Sequence, residues 1–105
     1  MEFKGTPGPW LHADSYGLNE TAGGAIHGDG KTLCLVLGKG IGKEKATANA
    51  KLIAAAPDLL YSLQKLLTEY KFTRSQLNGD TEEDLVDVLC VRNAMAAINK
   101  ALGRE

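Results

Sequence analysis

The residues best placed to do chemistry form one short run, Gly38-Lys39-Gly40-Ile41-Gly42-Lys43-Glu44-Lys45. An apolar, β-branched stretch leads into it and an alanine-rich stretch leaves it, which predicts a strand, a glycine turn and the start of a helix. Exposed amides at a helix N-terminus, the positive end of the dipole and nearby ammonium groups together attract an anion such as a phosphate. The run departs from the named phosphate motifs. A P-loop requires glycine where Leu37 stands and Ser or Thr where Glu44 stands, and the dinucleotide fingerprint requires glycine where Lys43 stands. The competing reading is a flexible turn whose lysines are simply solvated. Lys39, Gly40, Gly42 and Lys43 are therefore the expected ligand-binding residues, with two additions from elsewhere in the chain. Trp10, the single tryptophan, follows two prolines and is either a core plug or a stacking face for a base. Arg74, at the end of the middle helix, is free in sequence terms to bind an anion or to do nothing.

Other reactive residue types give weaker signals. His12 and His27 fall on neighbouring predicted strands, but no carboxylate or cysteine stands at ligand spacing around them, so no metal is expected. Cys34 and Cys90 lie in the apolar runs Thr-Leu-Cys-Leu-Val-Leu and Val-Leu-Cys-Val and read as reduced core cysteines. Ser15, Ser62 and Ser75 have no surroundings suited to a nucleophile, and no carboxylates pair as acid and base. Neither an enzyme nor a cofactor is expected. Asp80, Glu82, Glu83, Asp84 and Asp87 read as a helix start that opposes its own dipole. Their sharper reading is a negative patch that imitates nucleic acid.

The elements that must position these residues change character along the chain. Ten of the twelve glycines lie within the first 42 residues, so strands and turns should come first and helices after. Strands are expected at Trp10 to Ala13, Ala25 to His27 and Thr32 to Leu37, the last being the most apolar and expected to be central. Tyr16-Gly17 and Ala22-Gly23-Gly24 are turn material, and Gly28-Asp29-Gly30 closes a hairpin. A helix follows from Glu44, rich in alanine, until Pro57 kinks it or takes the first position of a new one. The next helical piece, to about Thr73, places Leu59, Leu63, Leu66 and Tyr70 on one face with Leu60 and Leu67 beside them. Gln76 to Gly79 is a loop. A last helix starts at Asp80 or Thr81 with the stripe Leu85, Val88, Leu89, Met95, Ile98 and Leu102. The expected fold is α+β. A small N-terminal antiparallel β-meander, about 8–38, precedes a C-terminal antiparallel helical hairpin, about 43–102, within a single domain, 1–105.

At 105 residues such a domain has little apolar surface to spare, which favours a homo-oligomer. A net charge of -1 excludes a generally basic nucleic-acid binder and an acidic disordered tail, so no direct nucleic-acid binding is expected. No apolar run approaches roughly 18 residues, so no membrane span is expected. Met1-Glu2-Phe3-Lys4-Gly5 lacks the apolar core of a signal peptide, which points to the cytoplasm.

Two motifs carry a resemblance. Thr6-Pro7-Gly8-Pro9-Trp10 and Ala48-Asn49-Ala50-Lys51-Leu52-Ile53-Ala54-Ala55-Ala56-Pro57-Asp58-Leu59-Leu60, with an alanine-rich end from Arg92 to Ala101, resemble a group of small phage and prophage proteins. That group pairs a T-P-G-P-W opening with an A-N-A-x-L-I-A-A-A-P-x-L-L helix. The resemblance spans almost the whole chain and implies a phage origin, with residence in the cytoplasm of the bacterial host. The predicted architecture is also similar to that of phage sponges that sequester nucleotide second messengers of Thoeris and CBASS defence. This likeness implies a counter-defence protein without enzymatic activity, whose partner is a small phosphorylated nucleotide of the cyclic nucleotide or cyclic ADP-ribose type. Phosphate would lie against the glycine-lysine turn with a base on Trp10, and Ala54 to Ala56 and the last helix would form an oligomer interface. The alternatives are a protein–protein inhibitor of a host defence nuclease, acting through the acidic helix start, and an accessory phage protein with no defence role.

Overall fold

The computed structural model describes residues 2–14, 22–81, 84–85 and 88–104. Ser15, Tyr16, Gly17, Glu82, Glu83 and Asp87, which the sequence reading singles out, lie outside them. The architecture is α+β, a three-stranded antiparallel sheet followed by helices. The chain divides into two compact units, Phe3–Asp58 and a second built from Leu59 onward.

The first unit holds β1 (Trp10–Ala13), β2 (Gly24–Gly28), β3 (Lys31–Val36) and the helix α1 (Lys43–Ala54). Asp29 (φ 53) and Gly30 (φ 73) form the two-residue turn between β2 and β3. Two successive positive φ values match the right-handed twist of a hairpin, which is why Asp-Gly signals it. The sheet order is β1-β2-β3. The expectation that β3 is central is therefore corrected: in a meander the middle strand in sequence takes the middle place, and β3 is an edge. A bulge between Ile26 and His27 shifts the pairing of β2 with β3. It brings Leu33 onto the core, while Cys34 is exposed.

Ile26, Val36 and Ala50 are buried together, with Trp10, Leu33, Ile53 and Ala54 packed against them. Small residues let α1 approach the sheet. Ala46 and Ala50 are fully buried, and a Cβ added at Gly38 would lie 2.6 Å from Cβ of Ala22 and 3.4 Å from Cβ of Ala46. Ala54 is half-buried against this core. α1 ends at Ala54, and α2 runs over Ala56–Asn78. Pro57 stands in the first turn of α2, where a missing N–H costs no helical bond.

The second unit joins most of α2 to α3 (Leu89–Ala101). Leu67, Val91 and Ile98 form its core, with Leu60, Leu63, Tyr70 and Met95 among the side chains packed on them. The face of α2 that is covered therefore runs Leu60, Leu63, Leu67, Tyr70. Leu59 and Leu66, expected on it, are exposed. α2 also continues beyond Thr73 to Asn78, because the first residue able to stop it is Gly79, at φ 69 with its amide bonded to Ser75 O at 3.0 Å. The last helix is not continuous from Thr81. Val88 is extended (φ -73, ψ 124) and α3 begins after it. Within α3, Val91, a residue the sequence reading omitted, lies seven residues from Ile98 and shares its buried face, whereas Leu89 lies nine residues from Ile98, on the opposite side, and is exposed. Among the described residues no helix is long and apolar enough to cross a membrane.

Thr81 caps the segment before that break. Its N–H and Oγ1 donate to Asp84 Oδ2 at 3.0 and 3.1 Å, and the Asp84 amide donates to Thr81 Oγ1 at 3.3 Å. This reciprocal capping satisfies amides that the helix cannot. The Thr81 amide, then its hydroxyl, hold the Asp84 carboxyl below its ordinary value. A depressed folded-state pKa contributes stability above the unfolded pKa, and that contribution is lost as pH falls through the folded value. In Thr81→Ala the Asp84 carboxyl, followed by NMR titration, is expected to titrate at higher pH than in the parent protein. An unchanged midpoint would remove the Thr81 hydroxyl as a cause and leave the amide alone.

Candidate functional site

The glycine-lysine turn is built from the end of β3. The Gly38 carbonyl accepts from the amides of Ile41 at 3.2 Å and Gly42 at 3.0 Å, which folds the chain back tightly. Gly40 (φ 82) and Gly42 (φ 88, ψ 157) take conformations that L side chains rarely adopt. Gly42 is the N-cap of α1, and no side chain caps the helix. The first helical bond runs from the Ala46 amide to Gly42 O at 3.1 Å. The amides before Ala46 therefore have no carbonyl within the helix to bond. Lys39, Lys43 and Lys45 are exposed around them. Glu44, in the first turn of α1, already opposes part of the dipole. The arrangement can hold a small anion by backbone amides and ammonium groups.

Trp10 lies elsewhere. It is paired across the sheet with Gly28, which is paired with Lys31. The turn follows Val36, at the other end of β3, about 17 Å away at the usual rise per strand residue. The indole Nε1 donates to Thr6 O at 3.1 Å, and the ring meets Phe3 edge-on with centroids 6.4 Å apart. A Cβ at Gly28 would lie 2.8 Å from Trp10 Cδ1, so glycine there makes room for the ring. The structure does not bring the tryptophan and the lysine turn together.

Arg74 belongs to the second unit. Its Nε donates to Asp80 Oδ2 at 2.9 Å and its Nη1 to the Tyr70 hydroxyl at 3.0 Å. The Tyr70 bond, then the Asp80 bond, raise its pKa above the ordinary value. Arg74 pins the end of α2 to the segment that follows it. A spacing of six residues across Gly79 gave no helical pairing signal in the sequence.

His12 and His27 sit on adjacent strands but one pair apart in register. His12 Nε2 lies 2.8 Å from Gly23 O and His27 Nδ1 lies 3.1 Å from Thr32 Oγ1. Among the described residues no group of three or more His, Cys, Asp or Glu is placed to hold a metal ion. The sequence reading also missed an apolar groove in the second unit, because it assigned Leu66 to the core face.

Residues 1–105 match a protein-family model described as Salmonella phage P22 protein Y8K6. No curated protein and no solved structure matches the chain.

Proposed function

As the chain belongs to the Salmonella phage P22 protein Y8K6 family, we propose that it is a non-enzymatic phage protein that binds and sequesters a small phosphorylated nucleotide signal in the cytoplasm of the bacterial host. The observation that carries this reading is the start of α1, where two positive-φ glycines leave amides uncapped by any side chain beside Lys39 and Lys43. Phosphate would bind there by the amides and the two ammonium groups. The base would rest on residues near the turn, since a single nucleotide held there does not span the ~17 Å to Trp10. A protein–protein inhibitor acting through the acidic run is the weaker reading. Asp80 is paired with Arg74 and Asp84 with the Thr81 cap, so both carboxylates already have partners inside the chain.

The test is a thermal-shift screen against cyclic di- and trinucleotides and cyclic ADP-ribose isomers, with inorganic phosphate as the control anion. A ligand at a hundredfold excess over its Kd stabilises the folded state by about 2.7 kcal/mol. For a chain of this size that is a rise of roughly 10 °C. The Lys39→Glu/Lys43→Glu double variant is expected to lose the shift. Failure of every compound, or an undiminished shift in the double variant, sinks the proposal.

A further inference from the structure

We infer that the second unit carries a self-complementary face and that the protein is a two-fold dimer through it, a second copy of this chain being the occupant. α2 is apolar over a wider arc than one partner helix covers. Leu60, Leu63, Leu67 and Tyr70 meet α3, yet Leu59, Leu66 and Leu77 remain 53%, 63% and 77% exposed. At 100° per residue these three fall within one narrow stripe beside the covered face. The stripe borders a groove of about 270 Å³ lined by Leu63, Leu66 and Tyr70 of α2 and by Cys90, Val91 and Ala94 of α3. Large side chains form one wall and small ones the other. A leucine from another copy has room to enter there.

The dimensions suit a dimer. Leu59 to Leu77 spans about 27 Å of helix, and two helices side by side are about 20 Å across. Such a face is about 540 Å² in projection at most, and side-chain relief raises the accessible area towards the ~800 Å² per partner of a stable interface. A second copy adds to a thin core: among the unit's described residues only Leu67, Leu85, Val91 and Ile98 are buried apolar side chains. In a two-fold arrangement the same groove and stripe appear on both copies, each stripe filling the other's groove.

The oligomeric state is read by sedimentation velocity on the full chain. The expected parent species has twice the 11.2 kDa chain mass, and Leu66→Glu sediments as a monomer with unchanged far-UV circular dichroism. A second measurement does not depend on any variant folding. Cys34 and Cys90 are both exposed on the single chain, and only Cys90 lines the groove. Maleimide labelling resolved by peptide mass is expected to modify Cys34 at once and Cys90 at least tenfold more slowly, with the gap closing on dilution. A parent protein that is monomeric throughout, a larger species that survives Leu66→Glu, or equal labelling of the two thiols would overturn the inference. A monomer would leave the groove to a different partner.

Discussion

Gly24→Ala is expected to destabilise the first unit by about 3 kcal/mol, the sum of a left-handed backbone penalty and an overpacking cost of similar size. Gly24 has φ +85, and a Cβ built on it collides with the carbonyl oxygen of Ala13. That oxygen belongs to β1, which is paired to β2 at this level, so relief requires opening the sheet. Gly40 supplies the comparison. Its φ is +82, but a Cβ there meets nothing within 4 Å. Gly40→Ala should therefore cost only about 1 kcal/mol, the conformational part alone. Trp10 packs on the core of this unit and is the single tryptophan, so its fluorescence in a urea titration reports on this unit directly. Equal midpoints for the two variants would show that the contact with Ala13 does not decide the cost.

Ile98→Ala is expected to cost about 3 kcal/mol, within the range for emptying a fully buried aliphatic site. Ile98 is 0% exposed and packs with Leu67 and Val91. Leu89→Ala should lie within about 0.5 kcal/mol of the parent, because Leu89 is 68% exposed. The pair tests which face of α3 points inward. Nine residues at 100° each put Leu89 on the side opposite Ile98, so only the buried residue matters, and equal costs would overturn this seating of the helix. Circular dichroism at 222 nm in urea measures both.

How much was legible in the sequence follows from how local each signal is. β1 and the two-residue turn at Asp29-Gly30 stand where the residues placed them, because β-propensity and a demand for positive φ are settled within a few residues. The start of α1 was legible for the same reason, since glycine at 42 and the alanines after it favour one outcome locally. So was the Thr81 cap, which needs only Asp84 three residues on.

Tertiary structure decided what depends on partners. The leucines of α2 fit two overlapping stripes, one through Leu59 and Leu66 and one through Leu60 and Leu67, and a period of 3.6 serves both. Only the seat of α3 selects the second. The seat of Ile98 against Leu67 fixed which face of α3 points inward, and with it that Val91 rather than Leu89 is buried. A bulge exposed Cys34, pairing register put Trp10 and the lysine turn at opposite ends of β3, and Asp80 claimed Arg74. Sequence determined where the backbone turns, caps and extends, because those energies arise between near neighbours. Which faces meet, and which charged groups remain for a ligand, depends on residues far apart in the chain, so only the folded packing could decide it.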